Sequence, residues 1–240
     1  MANLSPQRQK NLQRLMDRLG LPDQELVNWD LLDLALTHAS IAPEKNYEQL
    51  EFIGDAVVRL AAAEVLYAVY PDEPVGEFAA IRSILVSDRT LAEFAESYNL
   101  KKYLLHHGIY EGAGEISLLA DAFEAVLGAL FMSTRDLTLI HLWLDPLLQL
   151  KAAEIKEDPA RQNYKDALQV WTQSEHHCLP TYEVTQNAQS QSEDDFFFAR
   201  VWLQDKLLGE GFGRSKKAAQ QAAAKLAFEA IAPSPQNQNT

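Results

Sequence analysis

At 240 residues and 47% apolar content, the chain suits one large globular domain or two modest ones. One cysteine, Cys178, excludes an internal disulfide and fits a reducing, cytoplasmic setting. The net charge of −13 argues against a uniformly basic, nucleic-acid-binding surface. It is uneven, however: 13 Lys/Arg stand against 25 Asp/Glu over residues 1–159, and 8 against 9 over 160–240, so local patches must decide. The polar, amphipathic start (1–19) lacks a secretory apolar core, and the best candidate for a membrane span, 56–70, contains Arg59 and Glu64. No membrane partner is therefore expected.

Apolar residues at three- and four-residue spacing predict helices over 5–19, 23–39, 46–70, 75–87, 88–98, 116–133 and 136–157. Asp88 reads as the N-cap of the fifth, Pro71 and Pro74 separate the third from the fourth, and Gly108, Gly112 and Gly114 mark a loop before the sixth. The pattern changes near Glu157-Asp158-Pro159, which places a linker over 157–161. A helix over 163–175, strands over 181–187, 196–204 and 206–213, and a helix over 215–231 follow, with a polar loop over 188–195. Residues 233–240 have the composition of a disordered tail. The fold class is thus an all-α domain over 1–156 followed by a small α+β domain, α-β-β-β-α, over 162–232.

Two acidic segments stand out. The first is Asn46-Tyr47-Glu48-Gln49-Leu50-Glu51-Phe52-Ile53-Gly54-Asp55, and the second is Ala120-Asp121-Ala122-Phe123-Glu124-Ala125. On a helix Glu48, Glu51 and Asp55 share a face, as do Asp121 and Glu124. A solvated helix face would be the ordinary explanation. Against it, Leu50, Phe52, Ile53, Val57 and Val58 crowd the same segment, and Gly54 sits mid-helix, where it costs about 0.5–1 kcal/mol relative to Ala. Gly54, and Gly128 four residues after Glu124, would let the two acidic helices approach closely. Carboxylates gathered among apolar residues need protons or a cation to offset their repulsion.

An all-oxygen set favours Mg2+, with Mn2+ able to substitute, over zinc. The Glu-x-x-His pairs of a di-iron bundle are absent, and the six histidines have no ligand spacing with these acids and read as surface or loop residues. A glycosidase pair stays open, although five acids exceed its needs. No Ser/His/Asp or Cys/His set points to a side-chain nucleophile.

The last helix opens with Gly213-Arg214-Ser215-Lys216-Lys217. Basic residues at a helix N-terminus are unfavourable by roughly 0.3–1 kcal/mol each unless an anion is bound there, and a phosphate would use the dipole, the free N–H groups and the ammonium heads together. Ala219, Ala222, Ala223 and Ala227 give that helix a small-residue face for close packing on a sheet. Gly209-Glu210-Gly211-Phe212-Gly213 fits no nucleotide-binding loop, so no nucleotide cofactor is expected. Its glycines read as the end of a strand and a tight turn into the helix.

The first acidic motif, with Ala35-Leu36-Thr37-His38 before it and the second acidic motif after it, resembles the catalytic domain of bacterial ribonuclease III over about residues 25–150. The α-β-β-β-α segment, with Asn163-Tyr164-Lys165-Asp166-Ala167-Leu168-Gln169 as its first helix, resembles a double-stranded-RNA-binding domain. The resemblance implies a Mg2+-dependent endoribonuclease that cuts double-stranded RNA to 5′-phosphate and 3′-hydroxyl ends with a stagger. It implies action in ribosomal-precursor and messenger-RNA processing, as a homodimer. Glu51, Asp55, Asp121 and Glu124 would hold the metal. Asp55, Glu124 and Glu48 would be catalytic, Glu48 by organising water or a second cation. Phe52 would pack at the dimer interface. Lys216 and Lys217 would contact phosphates, with Arg214 nearby, and Gln169 would face a minor groove.

Several positions depart from the family pattern. Val75 stands where an acid often precedes the glycine, and the loop over 108–117 lacks a Gly-Gly-Arg. Val170 replaces a Glu, and the loop over 186–195 carries Glu193, Asp194 and Asp195 in place of Gly-Pro-x-His. Weaker RNA binding than is typical of such modules is the expectation. The other reading is a non-catalytic RNA binder on a degenerate nuclease domain, and the retention of all four ligand acids argues against it.

Overall fold

Ser5 opens the first helix: its Oγ accepts from the Arg8 N–H at 3.2 Å, and Pro6 takes the first turn, where an N–H would lack a partner anyway. The computed structural model describes residues 4–21, 24–158, 163–186 and 196–231. The elements are α1 (Pro6–Arg18), α2 (Trp29–Ala35), α3 (Glu48–Val69), α4 (Val75–Leu85), α5 (Asp88–Ser97), α6 (Ala113–Thr134), α7 (Thr138–Glu157), α8 (Tyr164–His176), β1 (Thr181–Gln186), β2 (Phe197–Leu203), β3 (Lys206–Gly213) and α9 (Lys216–Ile231). The chain divides into two compact units, one ending at Ile155 and the other beginning at Lys156.

In the first unit α6 is the central helix, with α3, α5 and α2 packed on it. Leu118, Leu119, Ala122, Phe123, Val126, Leu127 and Leu130 are all buried, so α6 is apolar on nearly every side, as a core helix must be. It, rather than the 56–70 stretch, is the most membrane-like segment, with a mean hydropathy of 1.6, yet 61% of that window is buried within the protein. Gly54 and Gly128 fix the α3–α6 spacing. A Cβ on Gly54 would stand 1.8 Å from the Glu124 carbonyl oxygen, and one on Gly128 would stand 2.1 Å from that of Leu50. Both helices therefore touch backbone to backbone, and the reason for a mid-helix glycine is steric.

Three sequence expectations are corrected here. The helix expected over 23–39 is only Trp29–Ala35. Asn28 caps it by accepting from the Asp30 and Leu31 N–H groups, and its far end is drawn into a parallel bridge between Thr37 and Leu105, with His38 N–H donating to Leu105 and Leu105 N–H to Leu36. Non-local pairing overrides the helical pattern there. Asp88 does not cap α5. Ser87 does, its Oγ accepting from Thr90 N–H, and Asp88 begins the helix proper. The proposed linker also starts too early, since Glu157 still belongs to α7, and 159–161 lie outside the described residues.

The second unit is a three-stranded antiparallel sheet in the order β1-β2-β3, with Thr181 opposite Trp202, Phe198 opposite Phe212, and a bulge at Val201/Trp202. Helices α8 and α9 pack against each other, and α9 lies on β2 and β3. The glycines of 209–213 end a strand, as expected, and two residues carry the chain from Gly213 into α9. The glycines lie within β3 and none has positive φ. Gly209, Gly211 and Gly213 alternate toward α9, where an added Cβ would stand 2.5 Å from Ala223 O, 2.3 Å from Ala223 N and 2.5 Å from Ala219 N respectively. The matching alanine face is Ala219, Ala223, Ala224 and Ala227, all fully buried, with Ala222 at its edge against Gly211. The tail at 233–240 and the loop over 188–195 lie outside the described residues.

Candidate metal centre and nucleic-acid interface

The acidic helix begins with a local device. Asn46 Oδ1 accepts from Glu48 N–H at 2.9 Å, and Asn46 Nδ2 donates to Pro43 O, so the asparagine of the motif fixes the first turn of α3. From that turn Glu48, Glu51 and Asp55 follow at helical spacing. The Gly54 contact then sets Asp121 and Glu124 of α6 beside them. Glu48 is exposed, while Glu51, Asp55, Asp121 and Glu124 are half-buried.

These carboxylates act on one another and are raised by burial. Burial, then Asp121, Glu48 and Asp55, push the Glu51 carboxyl up to about 6. Burial and Asp88 raise Asp121 to about 6. Burial, then Asp55, Glu51, Asp121 and Asp88, raise Glu124 to about 8. The site is short of positive charge, and its donors are all oxygen, which suits a hard divalent cation. Among the described residues no three acids or histidines already converge into a closed cage. Mutual repulsion and the pull of Arg59 on Asp55 both oppose one: Arg59 Nε donates to Oδ1 and Oδ2 at 2.9 and 3.0 Å, and Nη2 to Oδ1 at 2.6 Å.

The structure adds groups that motif reading passed over. Asp88 acts on both α6 acids, and only the packing of α5 on α6 brings it there. The Tyr47 phenol is buried among Asp121, Glu51, Tyr110 and Glu48, and its pKa is pushed well above the ordinary value, first by burial and then by these neighbours. His38 meets Tyr47 and Tyr110 edge to face, with Nδ1 accepting from Ser40 N–H at 3.0 Å. Burial and then His106 lower its pKa against the opposing pull of Glu48. His38 lies in a loop, as expected, and is part of the wall beside the acids. Arg59 was legible as an i,i+4 partner of Asp55.

Phe52 projects from α3 with 82% of its surface exposed, and Leu60 and Tyr67 are exposed on the same helix. Val75 begins α4 and is 80% exposed.

In the second unit Ser215 Oγ accepts from Ala218 N–H and caps α9. Arg214, Lys216 and Lys217 are exposed around that terminus and form no ion pair with any described residue. Among the described residues, dipole and side chains are therefore unneutralised at one point, an arrangement suited to phosphate. Gln169 and Val170 are exposed on α8. Glu193, Asp194 and Asp195 lie outside the described residues.

A family profile described as the Ribonuclease III domain matches residues 48–135, and one described as the Double-stranded RNA binding motif matches 164–231. The chain is 56% identical over 235 residues to Ribonuclease 3 2 of Nostoc sp. (strain PCC 7120), covering 97% of each. It is 54% identical over 229 residues to Ribonuclease 3 2 of Synechocystis sp. (strain PCC 6803), covering 95% of this chain and 94% of that one. It is 43% identical to Ribonuclease 3 of Gloeobacter violaceus, covering 95% and 94%. The fold is that of a nuclease domain joined to a double-stranded-RNA-binding domain, and the chain belongs to the ribonuclease III family of endoribonucleases.

Proposed function

We propose that this endoribonuclease hydrolyses double-stranded RNA with Mg2+ as its cofactor, Mn2+ substituting, and leaves 5′-phosphate and 3′-hydroxyl ends with a short stagger. The observation that supports this most is the backbone contact at Gly54 and Gly128, which presses two carboxylate-bearing helices together in a site where acids outnumber the one paired guanidinium, Arg59. Glu51, Asp55, Asp121 and Glu124 would hold the cation. When bound, it would supply Lewis-acid activation of water and neutralise charge at phosphorus. Glu124, which holds a proton up to about pH 8 without the cation, would release it on loading. The exposed Glu48 carboxylate would orient the attacking water, and the Asn46 contact fixes the turn from which it projects. The α9 terminus would anchor the duplex through Arg214, Lys216 and Lys217, with Gln169 at a minor groove. Weak phosphate contact near Val170 is part of this reading.

One such site cuts one strand, so the working form is a homodimer with two-fold symmetry, and the exposed Phe52 is the anchor of its interface. Phe52→Glu would shift the protein to monomer in sedimentation, and an unchanged dimer would remove Phe52 from the interface. The substrates are structured cytoplasmic RNAs, ribosomal precursors and messages. Incubating a long RNA duplex with Mg2+ or EDTA and mapping the product ends tests the chemistry. Staggered 5′-phosphate ends in Mg2+ alone are expected, and equal cutting in EDTA would overturn the metal reading.

A further inference from the structure

We infer that Arg59 is the resident cation of the metal-free centre, a guanidinium that holds Asp55 and opposes binding of the divalent ion there, so that Arg59 sets how much cation the free protein requires. The inference rests on the metal reading above and goes beyond it by naming the group that opposes loading.

Four observations carry it. Arg59 engages both oxygens of Asp55 through Nε and Nη2, the paired-donor geometry in which guanidinium and carboxylate match best. Among the described residues, no other Lys or Arg pairs with Glu51, Asp55, Asp121 or Glu124. Glu124 stands across the helix contact from the turn bearing Asp55, its backbone carbonyl against Gly54. Arg59 is one turn beyond Asp55 on α3, and both side chains are about half exposed, at 51% and 43%, so the guanidinium can leave without disturbing the core.

The two cations exclude each other electrostatically. A carboxylate oxygen has lone pairs enough for both partners. A divalent ion on Asp55, however, would stand within a few ångströms of a guanidinium that is charged at every physiological pH. Loading the ion therefore either breaks the fork or retains a strong repulsion. Both outcomes lower cation affinity, so the sign does not depend on which occurs. Read as an ordinary i,i+4 surface pair, Arg59 would alter helix stability slightly and leave cation affinity untouched.

The experiment titrates the full-length protein with Mn2+ at low ionic strength and measures free Mn2+ by its electron paramagnetic resonance signal, comparing wild type, Arg59→Gln, Arg59→Lys and Glu124→Gln. Arg59→Gln should bind Mn2+ about threefold or more tightly than wild type, with Arg59→Lys between them because it keeps the charge without the fork. Wild-type or weaker affinity in Arg59→Gln, with a wild-type melting profile, would overturn the inference. Glu124→Gln separates the two claims. If it loses Mn2+ and Arg59→Gln does not gain, only the role of Arg59 fails. If Glu124→Gln binds as wild type, the metal reading itself fails.

Discussion

Both units of this protein use glycine to bring backbone against backbone, with opposite electrostatic results. In the first, Gly54 and Gly128 let α3 and α6 touch, and the contact gathers negative charge in a half-buried cleft where Glu124 is pushed up to about 8. In the second, Gly209, Gly211 and Gly213 let α9 settle on β3, and the contact leaves positive charge outside, at the exposed start of α9. The first arrangement leaves repulsion that protons or a cation must offset. The second calls for an anion arriving from solvent. Close packing alone specifies neither partner, which is set by the charges on the turns beside each glycine.

The largest effect that would test this comparison is steric. Gly54→Ala should lower stability by about 3 kcal/mol or more in urea unfolding, because the obstruction is the Glu124 carbonyl and not a movable side chain. It should also abolish Mn2+ binding. Gly211→Ala, whose Cβ would meet Ala223 N at 2.3 Å, should instead lower RNA affinity and leave Mn2+ binding intact. If the two substitutions had the same consequences, the division of labour would fail.

Next in size is the loss of phosphate contacts. Lys216→Ala with Lys217→Ala should weaken binding to duplex RNA about tenfold or more and reduce the slope of log affinity against log salt by about two. An unchanged slope would mean that these lysines do not meet phosphate.

The smallest effect is a pH dependence. Glu124 has a folded pKa of about 8 against an ordinary 4.5, so its contribution to the cation-free fold is fully present below about pH 4.5 and is lost as pH rises through about 8. Melts in EDTA should therefore show Glu124→Gln gaining on wild type between pH 5 and 8.5 by on the order of 1 kcal/mol, discounted for a half-exposed site. Parallel curves would show that Glu124 is not under that strain.

Much of this was legible in the sequence because it is periodic. Acids at three- and four-residue spacing and a glycine in mid-helix announced the α3–α6 contact, and the basic turn before an alanine-rich helix announced the α9 terminus. The errors came where distant chain decides local structure. The pairing of Thr37 with Leu105 cut short the helix expected over 23–39. The glycines of β3 were legible as the end of a strand, but why three of them alternate depends on α9 packing against them. Asp88 has a plausible capping position in sequence, but Ser87 takes that role, and the field of Asp88 on Asp121 and Glu124 exists only because α5 packs on α6. The burial of Tyr47 beside the acids likewise depends on tertiary contacts that no spacing encodes.

The most direct test of the central claim, that the four acids form a cation site separate from the RNA-binding surface, is to follow Glu124→Gln and wild type on one end-labelled RNA duplex in Mg2+, measuring binding and cleavage together. The account predicts that the variant binds the duplex as wild type does and does not cut it. Cutting at the wild-type rate by Glu124→Gln would contradict it.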